Sequence, residues 1–212
     1  MNKKERALEV AKLLKKEHPN PLTELDHRSE VELIVAVMLS AQTTDIKVNE
    51  VTKELFKKYK SWEDYANAKE EDIQDIIRQV NYYKTKAKRL IKAAQFILDE
   101  FKGDIPREIK GLVKIPGIAR KSANVILQEL WDIGEGIVVD THVTRVSSRL
   151  ELTSHKNAVK IEKDLMKVIP KEYWRNISGA LVLHGRYVCK ARKPECEECV
   201  LNEICPPAFT FD

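Results

Sequence analysis

Between Pro21 and Gly103 the chain runs for 81 residues without a glycine or a proline. Those two residue types make most tight turns and end most helices, so a span lacking both folds most simply as helices joined by short polar connections. The rest of the chain agrees. Seven glycines and eight prolines in 212 residues make about 7%, against a typical ~12%, which argues against a sandwich or barrel of many tightly turned strands. The expected fold class is all-α. Within the span, Ser29 and Glu32 fit a capping box, and Val31 to Leu39 (VELIVAVML) is apolar on nearly every side, as a helix inside a bundle must be. Thr44 or Asp45 starts the next helix, and Ser61 caps a short one over Trp62 and Tyr65. A further stretch carries Ile73, Ile76, Ile77 and Val80, and Thr85 to Phe101 sets Leu90, Ile91, Ala94, Ile97, Leu98 and Phe101 on one face.

Hydrophobic residues at 43% exclude a disordered chain. No apolar stretch reaches the roughly 20 residues of a membrane-spanning helix, and the charged start from Asn2 to Arg6 has no apolar core behind it. A soluble, intracellular protein is expected. Lys and Arg number 37 against 33 Asp and Glu, a formal +4, too small to identify a nucleic-acid partner, so the placement of charge matters more than its sum. Thr85 to Lys92 is basic, while Glu70 to Asp75 and Glu195 to Glu203 concentrate acid.

Five of the seven glycines and two prolines fall between Gly103 and Gly136, and function often sits on such turns. Leu112 to Asn124 (LVKIPGIARKSAN) reads as a helix end, a Pro-Gly turn and a new helix start. Gly117 permits a positive φ and close approach of a backbone phosphate, and the N–H groups after it lie at the positive end of a helix dipole. Lys121 stands in the first turn beside Arg120. Neighbouring cations and the dipole disfavour its protonated form, and a neutral amine is a nucleophile suited to Schiff-base chemistry. Asp140 follows the apolar run Ile137-Val138-Val139; as an N-cap it would stay ionised, able to stabilise positive charge or accept a proton. His142 and His184 flank apolar helical positions and read as semi-buried structural residues. Helices are expected from Asp140 or Thr141 through Leu150, from Asn157 to Ile169, and from Glu172 to Val188.

Cys189, Cys196, Cys199 and Cys205 lie within 17 residues in the spacing C-x6-C-x2-C-x5-C. Two disulfides in so short a segment would do little for a chain of this length. Four thiolates converging on one centre suit zinc or an iron–sulfur cluster, and the spacing alone leaves both open. Between the first two cysteines, Lys190, Arg192 and Lys193 would ride on a small rigid loop, a candidate phosphate-contacting surface.

Taken together, IPGIARKSANV, IVVDTHVTRV, LSAQTTD at Leu39 to Asp45, and LHGRYVC leading into the cysteine spacing resemble the endonuclease III family of the helix-hairpin-helix DNA glycosylase superfamily, in order and over nearly the whole chain. The resemblance implies two helical domains. One is a six-helix barrel of about residues 23–134 with the helix-hairpin-helix at about 108–127. The other is formed by residues 1–22 and 135–212 and carries a [4Fe–4S] cluster on the four cysteines, with DNA bound across the cleft between the two. It implies a bifunctional glycosylase and abasic-site lyase for oxidised pyrimidines such as thymine glycol, working as a monomer on damaged or abasic double-stranded DNA in a prokaryotic cytoplasm. Lys121 would be the nucleophile, Asp140 its electrostatic and proton-transfer partner, and the target nucleotide would be flipped out of the stack. Gln42 would fill the vacated space; Ile115, Gly117, Ile118, Ala119 and Arg120 of the hairpin would meet a backbone phosphate, as would Lys190, Arg192 and Lys193. Ala119 replaces the second hairpin glycine, and Ser122 the usual threonine. Asn81-Tyr82 stands where many relatives have Gly followed by a Leu or Phe wedge, and Tyr82 is the expected wedge here. Two other readings compete. A mismatch glycosylase typically has a hydroxyl residue in place of Lys121, and a non-enzymatic helix-hairpin-helix binding module would need neither Lys121 nor Asp140.

Overall fold

The structure, a computed structural model, describes residues 1–210. Residues 211 and 212, the end of the expected terminal domain, lie outside the described residues. Regular structure among the described residues is helical throughout. In chain order the helices are α1 (Lys3–Glu17), α2 (Glu30–Ser40), α3 (Asp45–Lys58), α4 (Trp62–Ala66), α5 (Glu70–Ile76), α6 (Tyr83–Phe101), α7 (Ile109–Leu112), α8 (Arg120–Trp131), α9 (Thr141–Arg149), α10 (Ala158–Val168) and α11 (Trp174–Tyr187). None of these is long and apolar enough to cross a membrane. The chain packs as two compact units, Glu24–Trp131 and Met1–Thr23 with the chain from Asp132 onward.

In the Glu24–Trp131 unit, α2 buries every residue from Leu33 to Leu39. It packs against α3, α6 and α8, which is why an amphipathic pattern is missing from its sequence. Caps set the helix starts. Ser29 Oγ accepts from Glu32 N at 3.2 Å, but the Glu32 carboxylate accepts from Arg28 N at 2.6 Å, so the expected capping box is shifted by one residue. Thr44 caps α3, and Ser61 with Asp64 forms a reciprocal box on α4. Helix α6 begins two residues before Thr85, because Tyr82 adopts a left-handed conformation (φ 59°) and its carbonyl already accepts from Lys86 N.

The other unit has its own core. Ala7, Val10, Ala11 and Leu14 of α1, Val143 and Val146 of α9, Ile161 and Leu165 of α10, and Ile177, Ala180 and Leu181 of α11 bury together. Gly185 lets α11 lie close on α9, since a Cβ there would meet His142 Cβ at 2.8 Å. The run Ile137-Val138-Val139 is buried and irregular, and Val138 N donates to Ser178 Oγ at 3.0 Å. That bond anchors the run to α11 and fixes where α9 starts.

Candidate functional site

The hairpin is built on apolar side chains. Leu112, Ile115 and Ala123 are buried, and Ile115 and Ile118 are only 1% and 4% exposed. Ile115 N donates to Leu112 O and Ile118 N to Ile115 O, both at 3.1 Å. These two isoleucines therefore brace the turn and offer a ligand neither a side chain nor an N–H. Gly117 between them sits at φ +92°, a conformation that strains any other residue. A Cβ there would also come within 3.0 Å of Met38 Cε. Behind the turn α8 starts at Arg120, and Ala119 before it has no side-chain oxygen to cap the first turn. The first-turn N–H groups of Lys121 and Ser122 lie at the positive end of the α8 dipole, and the Lys121 side chain is exposed there.

Asp140 is the N-cap of α9, as its position after the apolar run suggested. Its Oδ1 accepts from Val143 N at 2.8 Å, and its carbonyl accepts from Thr144 Oγ1 at 2.7 Å. One carboxylate oxygen is committed to the cap, which holds the group of this half-exposed residue in one orientation.

Gln42 and Tyr82 lie on two turns of the Glu24–Trp131 unit. Both are exposed, and both are left-handed, with φ 57° and 59°. Asn81 Nδ2 donates to Gln42 O at 2.5 Å. Beneath them lies Lys86, which sequence reasoning missed. It is 6% exposed, and its Nζ donates to Leu39 O at 2.7 Å, Ala41 O at 2.6 Å and Thr43 Oγ1 at 3.1 Å. Burial, with a smaller contribution from Arg89, lowers its pKa to about 8. At neutral pH it remains an ammonium with all three donors used. The signal was present: Lys86 is four residues before Leu90, on the apolar stripe of α6, where a cation needs partners.

The cysteine segment is organised by backbone and arginine contacts. Cys189 N donates to His184 O at 2.7 Å, and Glu195 N closes the first loop onto Val188 O at 3.1 Å. Arg149 donates to Cys189 Sγ at 3.2 Å, to Lys190 O at 2.7 Å and to Ala191 O at 3.1 Å. Arg145 Nε reaches Cys189 O at 3.1 Å. His184 is buried, and burial depresses its pKa to about 4, so a neutral ring faces Cys199 Sγ at 3.6 Å. Of the three loop cations, Lys190 pairs with Glu195 at 2.5 Å, while Arg192 and Lys193 are exposed.

All four cysteines line one pocket with Val146, Leu150 and Leu201. Among the described residues no three His, Cys, Asp or Glu side chains converge as a single ion requires. Four thiols on one pocket fit an iron–sulfur cluster, for which an all-cysteine set is the usual donor set. Burial, with crowding by the other cysteines, pushes the Cys205 thiol up to about 11 and raises Cys199 as well. Thiolates in such a place need positive charge beside them, which an iron core and Arg149 supply.

The model of the HhH-GPD superfamily base excision DNA repair protein matches residues 35–171, and that of the iron-sulfur binding domain of endonuclease III matches residues 189–205. Fold and site thus define a helix-hairpin-helix base excision repair protein with an iron–sulfur segment. Endonuclease III of Synechocystis sp. is 44% identical over 207 residues, covering 98% of this chain and 94% of its own. That of Bacillus subtilis is 45% identical over 188 residues, covering 88% and 85%. The solved structure of a trapped endonuclease III–DNA covalent intermediate, an estranged-adenine complex, superposes with a TM-score of 0.90 at 38% identity over 99% of both chains. The chain belongs to the endonuclease III family. It is a DNA-binding, bifunctional DNA glycosylase and abasic-site lyase of base excision repair, and its cofactor is a [4Fe–4S] cluster.

Proposed function

We propose that Lys121 and Asp140 carry the reaction, on oxidised pyrimidines of the thymine glycol type in double-stranded DNA. The observation that carries this reading is the exposed Lys121 in the first turn of α8, directly behind the left-handed turn at Gly117. A relative 38% identical over 99% of the chain has been caught as a covalent intermediate with DNA.

In this mechanism the neutral amine of Lys121 attacks C1′ of a flipped-out nucleotide as the glycosidic bond breaks, and the base leaves with the bonding pair and takes up a proton. The carboxylate of Asp140 stabilises the positive charge that develops on the sugar and then accepts protons released from the amine. Ring opening gives an imine between Nζ and C1′. Loss of a C2′ proton expels the 3′ phosphate by β-elimination, which nicks the strand, and water releases Lys121. Gln42 occupies the gap left by the nucleotide, and Tyr82 wedges against the opposite strand. Gly117, Ala119 and Arg120 hold a backbone phosphate at the helix start, with Ile115 and Ile118 keeping the turn in shape. Arg192 and Lys193, with Lys190 beside them, hold a second stretch of backbone on a segment that the cluster keeps rigid. The protein acts as a monomer, in the cytoplasm and at the nucleoid.

Borohydride reduces the imine to a stable amine, so it tests the assignment. Wild-type protein should give a covalent adduct on duplexes carrying thymine glycol or an abasic site, and Lys121→Ala should give none. An adduct that survives Lys121→Ala removes the assignment of the nucleophile, and no adduct from the wild type on any duplex removes the imine mechanism.

A further inference from the structure

The turns that carry Gln42 and Tyr82 come from different helices, α2 and α6, and each exposes its side chain from a left-handed residue. Left-handed non-glycine residues cost energy and are kept only where the surroundings hold them. Two side chains supply that hold. Asn81 Nδ2 ties its own turn to the carbonyl of Gln42 at 2.5 Å. Lys86, one helical turn after Tyr82, reaches back under the other turn and binds the carbonyls of Leu39 and Ala41 and the hydroxyl of Thr43. Those carbonyls belong to the C-terminus of α2, where partial negative charge gathers and intrahelical donors run out.

We infer that Asn81 and Lys86 are positioning residues that lock the Gln42 and Tyr82 turns into one two-pronged probe of the duplex. The inference rests on the proposed entry of Gln42 and Tyr82 into DNA. Two prongs held at fixed spacing enter a base stack together, so the ordering cost is met in folding and not at binding. Loss of either tether leaves the prongs attached but free to move independently. Chemistry at Lys121 is untouched by the tethers, and a single-stranded abasic substrate has no stack to open.

The test measures incision kinetics on a duplex and on a single-stranded oligonucleotide carrying the same abasic site, together with the fluorescence of 2-aminopurine placed opposite the site. Asn81→Ala is the primary variant, since Asn81 is exposed and its loss leaves the core intact; Lys86→Met keeps the buried stem and removes the donors. Each should raise KM or lower kcat/KM on the duplex by about threefold or more, reduce the 2-aminopurine response, and leave single-strand incision and the thermal midpoint of Asn81→Ala unchanged. In a cycle with Gln42→Ala the losses should fail to add, because Asn81 acts through Gln42. If Gln42→Ala and Tyr82→Ala both leave duplex incision unchanged, the turns do not enter DNA and the underlying reading falls. If those two variants are impaired while Asn81→Ala matches wild type, or while its effect simply adds to that of Gln42→Ala, the probe reading stands and the tether is overturned. An equal loss on both substrates also overturns it, as a general loss of folded enzyme.

Discussion

The hairpin and the cysteine loop are both tight turns with cations beside them, yet they are held by opposite means. Around Gly117 the turn is braced from within by Leu112, Ile115, Ile118 and Ala123, all buried. From Cys189 to Cys205 only Leu201 is buried, and the segment depends on four thiols and on the contacts of Arg149 and Arg145. A turn that must present a reactive amine to within bonding distance gains from a rigid apolar base, which lets little relax. A segment that only has to hold charges near a phosphate backbone tolerates a looser, metal-dependent frame. On the proposed roles, position is demanded of the first and charge of the second.

Substitutions that remove one role from each loop give the sharpest contrast. Lys121→Ala should lower incision by roughly three orders of magnitude or more while duplex binding persists, whereas Arg192→Ala should lower it only through weaker binding; steady-state incision and gel-shift affinity separate the two. Next, Cys199→Ser, or removal of iron by a chelator, should abolish the visible absorbance of the cluster and the hydrogen-exchange protection of residues 189–205. Protection across residues 24–131 should be kept, because that unit buries its own core.

Stability divides the loops in the other direction. Ile115→Ala should cost about 2–5 kcal/mol by chemical denaturation, against about 0.5 kcal/mol or less for Lys193→Ala. Gly117→Ala should cost roughly 1–2 kcal/mol from the left-handed backbone, since the Met38 side chain it meets can shift, and it should weaken duplex binding as well. The smallest effect lies in salt dependence. Arg192→Ala and Lys193→Ala should each reduce the slope of log affinity against log salt by about 1, and Lys190→Ala by less, because Lys190 is already paired with Glu195.

Much of this organisation can be read from residue patterns. The glycine- and proline-free span announces helices, the Ser61 and Thr44 caps mark their starts, and Asp140 after its apolar run is the N-cap it was expected to be. Spacing left zinc and iron–sulfur equally open, because four thiolates can serve either and the distance between ligands along the chain does not tell the two apart. Long-range polar contacts were also out of reach. The pairing of Lys86 with α2 spans more than forty residues, and the Asn81 bond to Gln42 spans thirty-nine. A hydrophobicity pattern shows that a lysine on an apolar stripe is anomalous, but it does not name the carbonyls that satisfy it.

The hairpin as the source of the nucleophile is the claim on which the contrast between the two loops depends. The direct measurement is mass spectrometry of the peptides from wild-type protein trapped with borohydride on an abasic duplex. The sugar remnant should be found on Lys121. Its appearance on any other lysine, on a cation of the cysteine loop or on the N-terminal amine would contradict the assignment.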